Sequence, residues 1–224
     1  MTWDGRLIPH HGLDMANDAG VPVLSVGAGT VYYAGNDSEI IFAFRHNFYG
    51  NLIVLRMSET WKDHTIYALY GHLDTITVLA GQEVAEGDLL GTIGGTGAAY
   101  APHLHFEIRV DDPISYWAVR NPVLWYKPLP EHGVMAGRVL DRHGRFIPGH
   151  PVTLNCRDGM KRQLDTYWDQ GTPPDDVMFE NFAISDLPSG HCNLETSIDG
   201  HILQDSVEIV DGQISFLVLQ IPDE

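Results

Sequence analysis

Positive charge is scarce in this 224-residue chain: 13 Lys and Arg stand against 30 Asp and Glu, for a formal net charge of -17. The deficit is shared. Residues 1–127 carry 7 basic against 14 acidic side chains, and residues 128–224 carry 6 against 16. Neither half offers the basic surface that nucleic acid or an anionic membrane would need, which argues against both as primary partners. No apolar run is long enough to span a bilayer. No secretory leader opens the sequence given, and Met1-Thr2-Trp3 runs almost directly into functional residues, which leaves room for an upstream segment. Cysteine is limited to Cys156 and Cys192, too few for a disulfide framework and silent on the compartment. A sustained 3.6-residue apolar period is missing from residues 1–127, and so is any His-Glu-x-x-His pair, which removes the helix-borne metalloprotease site.

What remains is a succession of short alternating runs punctuated by glycine, the pattern of an all-β protein. Residues 27–35, 39–45, 51–56, 65–70 and 106–110 read as strands, residues 47–50 as a turn and residues 58–64 as a polar loop. Pro128 and Pro130 mark a stiff linker over residues 128–133. The expected division is therefore a first domain over residues 1–127 and a small β-sandwich over 134–224. In that sandwich the expected strands are 134–140, 152–156, 179–184, 193–198, 206–210 and 214–220, with residues 157–176 as a long polar loop. Alternation turns Cys156 and Cys192 towards the sandwich core, where two buried thiols are favoured over a disulfide.

Three motifs carry the chemistry. In Pro102-His103-Leu104-His105-Phe106-Glu107, residues two apart on a strand share a face. His103 and His105 thus point one way, as a pair for a metal, for proton transfer, or simply as polar groups on a solvated face. Glu107 shares that face, as a partner behind His105 or as a solvated or salt-bridged carboxylate. In His10-His11-Gly12-Leu13-Asp14, an extended chain would hold the Cα atoms of His10 and Asp14 roughly 13 Å apart. Gly12, at the midpoint, permits the bend that would bring both to one ion. Tyr70-Gly71-His72-Leu73 supplies another imidazole at a strand end.

Together, and in this order, the motifs resemble the LytM/lysostaphin-like zinc metallopeptidases of peptidase family M23, over nearly all of residues 8–126. The stretches at 20–23, 49–51 and 81–97 share in the likeness; Ala101 stands where the family usually has Gly. The resemblance implies a barrel-sandwich-hybrid antiparallel β fold. It implies a Zn2+ ion held by His10, Asp14 and His105, with His72 and His103 as the catalytic pair. It further implies an endopeptidase acting on peptidoglycan stem peptides or cross-bridges, outside the cell or in its envelope. Trp61, Tyr100, Tyr116 and Trp117 could wall a substrate groove or simply pack. Some LytM-like domains have lost ligands and serve as binding or activator modules, but all five positions are kept here. The Gly81–Gly97 run is also similar to biotinyl and lipoyl carriers, yet residues 63–108 hold no Lys to modify. Residues 134–224 are similar to carboxypeptidase regulatory-like, prealbumin-like sandwiches, through Pro148-Gly149-His150-Pro151-Val152 and Ser185-Asp186-Leu187-Pro188-Ser189-Gly190. No catalytic cluster stands in residues 134–224, so the expected role is binding, spacing or docking.

Overall fold

The computed structural model describes residues 11–125, 127–168 and 171–222. These fall into two compact units, residues 11–122 and 123–222, both built of strands as the alternation predicts.

The first unit holds β1 (Leu13–Ala16), β2 (Pro22–Leu24), β3 (Gly29–Asn36), β4 (Asn51–Trp61), β5 (His64–Ile76), β6 (Glu83–Val84), β7 (Leu89–Ile93), β8 (His103–Val110) and β9 (Val119–Arg120). The strand order is β1-β8-β5-β4-β3-β6, with β7 pairing β5 and β2, and β9 pairing β8. Every pairing is antiparallel. Leu52 to Leu55 on β4 and Ala68 to Tyr70 on β5 are buried on both sheet faces, so these central strands read as continuous apolar runs. On one side Phe42, Tyr49, Tyr67 and Tyr116 pack against Leu52, Val54 and Leu69. Each fully buried side chain of this kind stabilises the fold by about 1.5–3 kcal/mol.

Two expectations fail here. Residues 58–64 are not a loop but the end of a long hairpin, in which Thr60 pairs Thr65 and Trp61 pairs His64. Lys62 and Asp63 close it with φ of 48° and 69°, a primed two-residue turn without its usual Gly. Residues 39–45 form bends rather than a strand, because Phe42 is drawn into the aromatic cluster instead of pairing.

The second unit holds β10 (His132–Leu140), β11 (Pro151–Cys156), β12 (Lys161–Asp165), β13 (Phe182–Pro188), β14 (Gly190–Ile198), β15 (His201–Ile209) and β16 (Ile214–Gln220). They make two sheets, β13-β10-β16 and β12-β11-β14-β15. Met135, Val139, Val152, Leu154, Phe182, Leu194 and Leu219 form the core of this unit. β10 begins inside the stretch expected as linker. β12 lies inside the expected long loop; its side chains are mostly polar, and it is an edge strand that pairs with β11 and packs Leu164 on the core. The cysteines are buried as expected but not free: Cys156 and Cys192 face each other in the β11–β14 register and form a disulfide, Cα to Cα 4.0 Å. Alternation finds the face of each cysteine; only the strand register shows that the two meet.

Candidate metal centre

The pairing of β1 with β8 sets Asp14 opposite His105 and Ala16 opposite His103. Gly12 makes that approach possible. Its φ is 137°, and a Cβ there would lie 2.8 Å from His105 Nε2 and 2.9 Å from Glu107 Cγ. Asp14 Oδ1 lies 2.8 Å from His105 Nδ1 and 3.5 Å from His103 Nε2. His10 lies outside the described residues. Among the described residues no group of three His, Cys, Asp or Glu side chains is placed to hold a metal ion. The two expected ligands that are described do fit zinc: an imidazole nitrogen and a carboxylate oxygen face each other in a half-buried cleft.

His72 arrives from β5 by an irregular route. The β4–β5 register shifts between Asn51 and Ile53, and His72 takes a φ of 61°, rare for a residue other than glycine. The backbone holds it there. His72 N donates to Tyr49 O at 2.8 Å, and its Nδ1 donates to Thr96 O at 2.8 Å. His103 Nδ1 likewise donates to Ala101 O at 2.8 Å. Each ring thus spends its Nδ1–H on a carbonyl and keeps Nε2 as its acceptor. The two ring centroids are 4.7 Å apart, and that of His72 is 5.6 Å from His105. Burial pushes His72 down to about 4, against the Thr96 hydrogen bond, so the ring is neutral at neutral pH.

The loop behind His72 is tied by Asp37, whose buried carboxylate accepts from the backbone N–H groups of Phe48, Tyr49 and Gly50. Gly50 and Gly97, both at positive φ, let two backbone segments touch; a Cβ on Gly50 would stand 2.4 Å from Gly97 N and from Thr96 Oγ1. Thr96 Oγ1 donates to Leu73 O and accepts from Asn51 N, which fixes the carbonyl that holds His72.

Beneath His105 lies a fully buried ionic network. Glu107 Oε1 accepts from His105 Nε2 at 2.9 Å and from the Tyr49 hydroxyl. Glu107 Oε2 accepts from Arg109 Nε at 2.8 Å. Arg109 also donates to the carbonyls of Phe42, Pro113 and Ile114 and to Tyr49 Oη. Burial opposes the charge on His105, but hydrogen bonds to Asp14 and Glu107 outweigh it and raise the ring to about 9. Burial also opposes the Glu107 charge, but Arg109 and His105 hold that carboxyl down at about 2.

The profile of peptidase family M23 matches residues 8–115. Residues 8–115 are a peptidase family M23 domain. Over 106 residues, 47% of this chain, the sequence is 37% identical to the peptidoglycan DD-endopeptidase ShyB of Vibrio cholerae, covering 22% of that protein. It is 35% identical to ShyA of the same organism over 105 residues, 47% of this chain and 21% of that one. The match thus spans about a fifth of each relative. The catalytic domain of lysostaphin from Staphylococcus simulans is 29% identical over 50% of this chain and 75% of that one, with a TM-score of 0.43.

Within the M23 domain, four of the five residues singled out in the sequence, Asp14, His72, His103 and His105, meet at one place on β1, β5 and β8. Glu107 is not solvated: it is 0% exposed and bonded to both His105 and Arg109. Tyr49, Arg109 and Asp37 were missed. Glu107 and Arg109 share the histidine face of one strand, and an acid–base pair at that spacing was the available signal. His11 is structural, stacked on Tyr116 at 4.1 Å and donating Nδ1–H to Tyr116 O. Of the aromatic residues considered for a groove, Tyr116 is buried in the core. Trp61 packs against Lys62 at the far end of β4. Tyr100 and Trp117 are exposed, Trp117 with its ring against His11.

Proposed function

We propose that this chain is a zinc-dependent endopeptidase that hydrolyses peptide bonds of peptidoglycan, in stem peptides or cross-bridges. In this reading His10, Asp14 and His105 hold the metal, and His72 and His103 are the catalytic residues. The observation that carries it is the convergence of one carboxylate and three imidazoles, two of them presenting Nε2 as an acceptor. The activity named for ShyB and ShyA supports the substrate class.

When bound, zinc supplies Lewis acidity and lowers the pKa of a water molecule towards ~7. The protein's own residues do the rest. Asp14 and His105 would fix the ion on two paired strands. As water adds to the scissile carbonyl, Nε2 of His72 or His103 accepts its proton. The other ring, when protonated, donates to the oxyanion, and the accepted proton passes to the leaving amine. The carbonyls of Thr96 and Ala101 hold the Nδ1–H of each ring, which leaves Nε2 for the proton transfers.

The Cys156–Cys192 disulfide supports an extracellular or envelope location, since such bonds persist in oxidising compartments. Among the described residues no helix is long and apolar enough to cross a membrane. We further propose that catalysis resides in residues 1–127, with residues 134–224 as a binding, spacing or docking sandwich and peptidoglycan as the partner. The test is incubation of the zinc-loaded full chain with crosslinked peptidoglycan, reading released muropeptides by mass. New amino termini at peptide crosslinks support the assignment; an intact product profile in the presence of bound zinc would refute it in favour of a silent binding module.

A further inference from the structure

We propose that Glu107, braced by Arg109 and Tyr49, is a positioning residue that sets the orientation and tautomer of His105 for metal binding. The inference rests on the zinc reading given above. A histidine that ligates through one nitrogen must carry its proton on the other, and a buried acceptor for that proton fixes ring angle and tautomer together.

Both ring nitrogens face a carboxylate, but only the one at Nε2 is buried. His105 Nδ1 faces Asp14 at 2.8 Å, and Nε2 faces Glu107 at 2.9 Å. Glu107 is 0% exposed and cannot be replaced by water in that role. Its two oxygens are held in turn. Tyr49 donates to Oε1 and Arg109 Nε donates to Oε2, while the remaining Arg109 donors are taken by Phe42, Pro113 and Ile114 carbonyls and Tyr49 Oη. Both carboxylate oxygens are thus held by donors at a fully buried position. Gly12 closes the remaining side, since any Cβ there would strike His105 Nε2 and Glu107 Cγ. The buried ion pair could instead serve only the core. A purely structural pair, however, gives no reason for the third hydrogen bond, which Oε1 accepts from the imidazole that faces Asp14.

Glu107→Gln keeps the shape but sets an amide where Oε1 and Oε2 together receive three donors, so one donor loses its acceptor. The expected result is a folded protein, by near-UV circular dichroism and melting, whose zinc affinity in chelator competition is about 10–100-fold weaker. Its cobalt(II)-substituted form should show a changed ligand-field spectrum. Zinc affinity within twofold of the parent, with an unchanged cobalt spectrum in the folded variant, would overturn the proposal. If Glu107→Gln does not fold, Tyr49→Phe removes one donor to the same Oε1 and leaves the ion pair. A severalfold loss of zinc affinity supports the proposal there, and none overturns it. The parent separates the two claims. A parent that binds no zinc defeats the metal assignment and this inference with it, whereas a parent that binds zinc no better than Glu107→Gln defeats the positioning role alone.

Discussion

Reducing the Cys156–Cys192 disulfide should destabilise the second unit heavily and leave the M23 domain untouched. The bond closes a chain segment with a sequence separation of 36. In the loop-entropy description, a closed loop of that length is worth about 4 kcal/mol at 25 °C, from the restricted unfolded state. For a unit of this size each kcal/mol moves the melting temperature by about 4–8 °C, so a loss on the order of 15–30 °C is the upper expectation. Both sulfurs lie in the core beside Val152, Leu154 and Leu194, so the reduced thiols stay buried and packing changes little. The assay is hydrogen exchange with and without reductant, read separately on β11 with β14 and on β4 with β5. Protection should fall in the first pair and hold in the second. Equal protection of β11 and β14 in both states would refute the reasoning, and alkylation of both cysteines in denaturant without reductant would show that the bond is not formed.

Further outcomes follow from the site and from one buried acid. His72→Ala and His103→Ala should keep their zinc, by elemental analysis, and lose about 10²–10⁴-fold in peptidoglycan hydrolysis; a wild-type rate in either removes that residue's role. Gly50→Ala forces a side chain into φ 68° and against Gly97 and Thr96, so it should cost on the order of 2–4 kcal/mol in denaturant titration. It should also lower hydrolysis by moving the Thr96 carbonyl from His72; parent-like stability would contradict the close approach. Burial raises Glu180 to about 7, against the hydrogen bonds from Asp175 N and Tyr167 Oη. A carboxyl with a raised folded pKa gives stability that is full below about 4.5 and is lost as pH climbs through about 7. The second unit should therefore weaken by on the order of 3 kcal/mol at most between pH 4.5 and 8. Glu180→Gln should flatten that part of the pH profile, and an unchanged slope would exclude Glu180 as its source.

The strands were legible where apolar alternation was strict, as in β8, β10, β11 and β14. They were illegible where tertiary contacts decided. Lys62-Asp63 closes a hairpin without turn chemistry in its sequence, and β12 is a polar edge strand that exists because β11 pairs it. At the site, alternation made His103 and His105 legible as a same-face pair and Gly12 as the bend that lets Asp14 approach, whereas His72, on β5, was assigned to the site only through the family resemblance. The surroundings were not legible. That Tyr49 would meet both Glu107 and Arg109, or that Asp37 would cap the turn carrying Tyr49, depends on residues 12 to 60 positions apart in sequence, and no local period encodes such contacts.

Metal content is the most direct test of the central claim. Full-length protein purified without chelator, and its His105→Ala variant, are analysed for zinc by elemental mass spectrometry after gel filtration. The account predicts about one zinc per chain in the parent and loss of that zinc in the variant. Stoichiometric zinc retained with unchanged affinity in His105→Ala, or a folded parent that takes up no zinc, would contradict it.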